Sequence, residues 1–213
     1  MALQNRVTPF GEIVAVPERG SLMGNRGGKI HDVDRRLGTA RWTSRRWIAC
    51  ECVYKDWRRP VMGDGYTELF FLDEVTALSA GHRPCFFCRR AEAKAFAQSF
   101  SRGRGEDAVM SADAIDLALH AERLDGKAKR RHRLEADWLP DGAVIARGEE
   151  AFALRDGRSL LWSPAGWKEA GGRPAGPVDA LTPPSILATL VAGYRPRWHE
   201  SAINPKGRPK SAC

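Results

Sequence analysis

The chain has 213 residues, with 34 Lys or Arg against 26 Asp or Glu, a net charge of +8 and a pI near 9.6. With 43% apolar residues this length supports a real hydrophobic core and excludes wholesale disorder. The absence of any run of about 18 apolar residues excludes a conventional membrane helix, and the opening Met1-Ala2-Leu3-Gln4-Asn5-Arg6 lacks the apolar stretch of a secretory signal. The expectation is a soluble cytoplasmic protein with no membrane partner.

In chain order, Gly11 to Val16 reads as an extended piece closed by Pro17. Residues 19–29 read as a glycine-rich loop with three cations, which lacks the Gly-Lys-Ser/Thr ending of a P-loop. Arg46 to Tyr54 and Tyr66 to Leu72 are rich in β-formers. Asp73 is placed to cap a helix over 74–80, which Gly81 closes and Pro84 keeps from continuing. A second helix is predicted from Cys88 or Arg89 to Phe100 and broken over 101–105; a third, capped by Ser111, spans 112–124. Short apolar runs at 143–146, 151–154 and 160–162, punctuated by Pro-Asp-Gly, Asp-Gly and Pro-Ala-Gly, predict a β-meander with a turn at Asp156-Gly157. Residues 170–178 read as a Gly/Pro linker. Pro183 and Pro184 open a last helix over 185–192, and the tail from Asn204 reads as disordered.

Five cysteines in a reducing compartment point to metal ligation before disulfides. Cys85-Phe-Phe-Cys88 gives two sulfurs at knuckle spacing just before a helix, whose N-terminal partial positive charge favours thiolates. Cys50 and Cys52 alternate on a predicted strand and so face the same side. A tetrahedral zinc ion wants four such ligands. Cys50, Cys52, Cys85 and Cys88 form the predicted set, with His31 the alternative fourth ligand and His82 a weaker one; two buried thiols or a redox pair are the competing reading. The segment from Phe70 through Ala80-Gly-His-Arg-Pro84 to Cys85-Phe-Phe-Cys88-Arg89 resembles the second half of the Ada-type metal-binding domain of DNA alkylation repair. The resemblance covers about twenty residues, and several treble-clef modules share the pattern. It implies a zinc unit and a setting in DNA repair. The leading pair departs from the family's Cys-x3-Cys, which puts any methyl-acceptor cysteine in doubt.

The positive charge is clustered: eleven basic against four acidic residues between Arg19 and Arg59, and six against one between Arg123 and Arg133. Such fields attract phosphate backbones. Trp42, Trp47, Tyr54 and Trp57 interleave with the first cluster, offering faces on which bases stack, although Trp47 and Tyr54 also suit a hydrophobic core. The nucleic-acid candidates are Arg45, Arg46, Trp57, Arg58, Arg59, Lys127, Lys129, Arg130 and Arg131. His120, Glu122 and His199 are candidate catalytic groups, but His120 and Glu122 lie about 200° apart on a helix and cannot share one small site. If the protein is an enzyme, His120 is expected to work with a group near His199.

The reading is an α+β protein: a basic N-terminal segment (1–45), a treble-clef zinc unit (46–101), a helical middle, a β-rich C-terminal half closed by a helix (106–203) and a tail (204–213). Its first function is a zinc-binding, nucleic-acid-binding protein in DNA repair or processing, with DNA favoured over RNA. The alternatives are a nuclease or glycosylase with a His-based site, and a protein-interaction adaptor whose zinc is purely structural.

Overall fold

In the computed structural model, which describes residues 2–56 and 60–203, two six-stranded sheets are bridged by helices in an α+β arrangement. The first sheet is mixed, with strand order β2-β1-β5-β3-β4-β6. Its members are β1 (Gln4–Val7), β2 (Ile13–Ala15), β3 (Leu22–Arg26), β4 (Trp47–Cys50), β5 (Leu69–Phe71) and β6 (Arg83–Pro84). It therefore takes strands from both sides of residue 45.

The predicted glycine-rich surface loop contains β3, an interior strand of this sheet, pairing with both β4 and β5. Its glycines serve close packing. A Cβ at Gly24 would lie 2.1 Å from the Ile48 carbonyl oxygen, and one at Gly20 would lie 2.0 Å from that of Phe71. Only hydrogen fits there.

The chain also forms α1 (Glu74–Ser79), which packs between the sheets, and then α2 (Arg90–Gly103) and α3 (Ala112–Arg123). Asp73 caps α1 by accepting from the Thr76 amide at 2.9 Å, and Gly81 ends it at φ +88°, as its sequence predicts. The α2 helix runs three residues past Phe100, through the predicted break. Ser101 continues the helix because its hydroxyl returns to the Ala97 carbonyl at 2.9 Å and also accepts the Met110 amide at 2.8 Å. Beyond α3 a two-stranded ribbon forms from β7 (Leu124–Asp125) and β8 (Ala128–Lys129).

The second sheet is wholly antiparallel, in the order β13-β12-β11-β10-β14-β9. It comprises β9 (His132–Glu135), β10 (Val144–Arg147), β11 (Glu150–Arg155), β12 (Arg158–Ser163), β13 (Gly166–Gly172) and β14 (Pro177–Ala180). The meander is β10–β12, and Asp156-Gly157 makes its turn with both residues at positive φ, +47° and +74°, the geometry that suits the twist of a hairpin. The predicted Gly/Pro linker is instead the end of β13, an edge strand exposed from Lys168 onward, and the start of β14. The chain closes with α4 (Pro184–Val191) and α5 (Glu200–Ile203).

One face of this sheet buries Val144, Ala146, Ala153 and Leu160 against Leu72 and Val75 of the first half. The other buries Ile145, Phe152 and Leu154 against Leu187 of α4. A third cluster joins α2, α3 and α4 through Phe96, Phe100, Ile115, Leu119, Ile186 and Leu190. Apolar burial thus makes the two halves interdependent. No helix among the described residues is long and apolar enough to cross a membrane.

Candidate metal centre and its surroundings

Cys50 ends β4, and Cys85 follows β6, the strand parallel to it. The Cys85 amide donates to the Ala49 carbonyl at 2.9 Å, which fixes the knuckle against the end of β4. Cys88 stands two residues before α2. As a result the sulfurs of Cys50, Cys85 and Cys88 lie within 4.8 Å of one another. Cys50 and Cys85 are buried and Cys88 is half-buried. Two backbone amides point at sulfur: Glu51 N donates to Cys88 Sγ at 3.3 Å and Phe87 N to Cys85 Sγ at 3.4 Å. Amide–sulfur bonds of this kind favour thiolate over thiol.

Hydrogen bonds among the three sulfurs divide their acidities. Those from Cys50 and Cys88 hold the Cys85 thiol far below its ordinary range, whereas Cys50 is pushed up by its bonds to Cys85 and Cys88 and by burial. Without a cation the trio can carry only part of its charge, because like charges this close disfavour each other. A bound divalent metal would remove that restriction, since coordinated thiols are deprotonated outright. The donor set fits a thiophilic ion such as zinc.

Cys52 lies beyond the end of β4, outside this trio, and has an interaction of its own. The strand stops at Cys50, so the alternation that would align the two side chains does not extend that far. Cys52 does line, with the trio, a mainly apolar pocket of about 310 Å³ that also touches Tyr54, Glu68 and Phe87. His31 is held elsewhere: its ring nitrogens meet Thr67 Oγ1 at 2.6 Å and the Gly63 carbonyl at 3.0 Å. His82 is fully buried, tilted against Trp47 and edge-on to Phe71, with burial pushing its pKa well below the ordinary range.

Behind the trio runs a polar network absent from the sequence reading. Arg89, 2% exposed, pairs with Glu74 at 2.9 Å and with Glu51 at 3.4 Å. Glu74 in turn accepts from the Tyr194 hydroxyl at 2.6 Å and the Arg197 amide at 2.9 Å. This chain links the residue after Cys88 to the segment following α4. Its one sequence signal was an arginine adjoining a ligand pair.

The candidate catalytic residues share no partner among the described residues. His120 accepts from Arg123 at 3.0 Å and lies edge-on to Trp42; burial, then Arg123 and Arg45, lower its pKa. Glu122 accepts the amide and hydroxyl of Ser185 at 2.9 and 2.5 Å, anchoring the start of α4. His199 Nδ1 meets Ser201 Oγ at 2.8 Å and accepts the Ser201 amide at 3.3 Å, capping α5. Each thus has a local structural duty.

Of the candidate nucleic-acid residues, Arg45, Arg46, Lys127, Arg130 and Arg131 are exposed and Lys129 is half-buried; Trp57, Arg58 and Arg59 lie outside the described residues. Arg46 pairs with Asp113 at 3.2 Å. Arg131 lies over Phe10, and the exposed Lys127 and Arg130 have no ion pair among the described residues. Comparison with known protein families, with curated proteins and with solved structures returns no match, so the functional reading rests on these residues alone.

Proposed function

We propose that this protein is a zinc-stabilised nucleic-acid-binding protein, with a treble-clef-like zinc unit at the junction of β4 and α2. The observation that carries the proposal is the convergence of three thiols from segments 35 or more residues apart onto one point. Cys50, Cys85 and Cys88 would hold the ion. A tetrahedral site requires one further donor beyond these three free thiols; Cys52, on the adjoining pocket wall, is disulfide-bonded and offers no free thiolate. When bound, zinc supplies cross-linking of two distant segments, and its binding free energy becomes folding free energy.

The nucleic-acid half of the proposal is supported by a net charge of +8 and by the exposed Lys127 at the turn of the β7–β8 ribbon and Arg130 and Arg131 just after it. Such a surface gives affinity without sequence choice, and DNA processing or repair is the setting to which the zinc unit's resemblance points. The test is metal analysis of tag-free, full-length protein together with DNA binding across a salt series. One zinc per chain is expected, lost in Cys85→Ser/Cys88→Ser. Neutralising Lys127, Lys129, Arg130 and Arg131 together is expected to flatten the log–log salt slope by roughly 3–4 units, at about 0.9 counterions per phosphate contact. Absence of zinc refutes the metal centre, and absence of DNA binding at low salt refutes the partner.

A further inference from the structure

Away from the thiols, three cations meet where the first sheet approaches the β7–β8 ribbon. Arg26 ends β3, Arg123 ends α3 and Lys129 ends β8. Arg26 and Arg123 are buried, and both guanidinium groups stack on Trp47, at 3.9 and 4.1 Å from its ring. Every hydrogen-bond partner they have among the described residues is neutral. Arg26 donates to the Gly11 carbonyl at 2.8 Å and to His82 Nε2 at 3.3 Å. Arg123 donates to the carbonyls of Gly81 and Arg45 at 2.9 and 2.7 Å, and Lys129 to that of Ser79 at 2.6 Å. Asp116, the acid whose charge acts on Arg123, is already gripped by Arg83 at 2.8 and 2.7 Å. Among the described residues none of the three cations has a carboxylate partner.

Buried charges without counter-charge are costly, and proteins ordinarily pair them. Here burial first, and then repulsion from neighbouring cations (Arg123 acting on Arg26 and Lys129, Arg83 acting on Arg123), lower all three pKa values, that of Lys129 to about 7. The cations border an open cleft of about 570 Å³, which Arg41, Lys127 and Arg131 also line, with Glu12 the single acid in its walls among the described residues. Arg123 Nε and Trp47 Nε1, on residues lining the same cleft, are buried without a hydrogen-bond partner among the described residues. The cleft is far larger than one small anion requires, and its walls include Phe10 and the half-buried indole of Trp42. Such a planar aromatic beside a cationic floor matches a base joined to a phosphate.

We infer that this cleft is a phosphate-binding site that receives one nucleotide, its phosphate on Arg26, Arg123 and Lys129 and its base against Trp42. The inference rests on the nucleic-acid reading above and deepens it. The exposed rim attracts a backbone, and the floor seats a single phosphate. A free nucleotide and a nucleotide within a strand carry the same chemistry, so the test must separate them.

The test titrates full-length, metal-loaded protein with inorganic phosphate, with AMP and with a single-stranded DNA 12-mer, following tryptophan fluorescence and thermal stability. The variants are Lys129→Met, which removes an unpaired cation and so should fold, and Trp42→Ala on the cleft wall; Arg41→Gln replaces Lys129→Met if the latter misfolds. Phosphate and AMP are expected to raise the melting temperature, AMP to bind more tightly, and Lys129→Met to weaken both about tenfold or more. Trp42→Ala should weaken AMP and the 12-mer but leave inorganic phosphate unchanged. Binding of AMP but not of the 12-mer, still dependent on Lys129, would uphold the cleft and overturn the nucleic-acid partner. Binding of the 12-mer undiminished in Lys129→Met and Trp42→Ala would overturn the cleft and leave that partner standing. If none of the three ligands binds, both readings fall.

Discussion

Trp167 donates its indole N–H to Asp73 Oδ2 across 2.7 Å, fastening the second sheet to the residue that starts α1. The same oxygen accepts the His199 amide at 2.9 Å, while Oδ1 accepts the amide and hydroxyl of Thr76 at 2.9 and 2.8 Å. Burial pushes the Asp73 carboxyl up, against the pull of these four donors. Asp73→Ala removes a helix cap, worth about 1 kcal/mol, and strands two buried donors at about 1–3 kcal/mol each. A loss of roughly 3–7 kcal/mol in urea denaturation is expected. Trp167→Phe keeps most of the ring and should cost only about 1 kcal/mol more than its lost volume. Equal stability of Asp73→Ala and wild type would show that the network does not join the halves.

Arg83, two residues before Cys85, forms a bidentate pair with Asp116 of α3, both almost fully buried. Removing one partner leaves an uncompensated charge, so Asp116→Ala should destabilise by about 3–5 kcal/mol. The double variant Arg83→Met/Asp116→Leu should recover most of that loss, because apolar replacements of a buried pair are often neutral. A double variant no more stable than Asp116→Ala would mean that the pair fixes geometry no apolar contact replaces.

Gly24, inside β3, has no room for a side chain. Gly24→Ala would drive its methyl into the Ile48 carbonyl at 2.1 Å and the Phe71 ring at 2.8 Å. A loss of about 3 kcal/mol or more is expected. Gly172→Ala, with open space around it and no positive φ, should be neutral or slightly stabilising. Circular dichroism melts of the two variants give the comparison, and similar melting temperatures would refute the close approach.

That glycine also shows where the sequence was hard to read. Leu22-Met23-Gly24-Asn25-Arg26 contains no β-branched residue, and glycine and asparagine are depleted in strands. Its strand character comes from neighbours on both sides, which a local reading does not see. The end of β13, Lys168-Glu169-Ala170-Gly171-Gly172, misleads similarly: an exposed edge strand needs no apolar alternation. By contrast the cap at Asp73, the stop at Gly81 and the turn at Asp156-Gly157 depend on local backbone chemistry and were legible. Within the cysteine cluster, knuckle spacing and helix position made Cys85 and Cys88 legible as a pair. The placement of Cys52 depended on where β4 ends, and that is set by pairing with Met23. The cationic cleft joins residues 26, 123 and 129, a proximity that only the fold creates.

Lys129 makes that cleft accessible to a stability measurement. Its pKa falls to about 7 from 10.5, through burial first and then Arg123 and Arg26. Between those values the unfolded chain holds a proton that the folded chain does not. Stability contributed by this group therefore rises with pH from about 7 to 10.5 and is at its lowest, and flat, below 7. The folded structure also shifts the acidities of the cysteines and of Tyr194 away from those of the unfolded chain, so the informative quantity is the difference between wild type and Lys129→Met in metal-loaded protein. The variant should be more stable at pH 6.5, and its advantage should shrink through pH 8 and 9.5. Saturating phosphate should hold the proton on Lys129 and remove most of the wild type's advantage from alkaline pH, since the ligand supplies the missing counter-charge. Urea midpoints that stay parallel for the two proteins across this range would show that Lys129 titrates as an ordinary lysine, and that the cleft places no special demand on its charge.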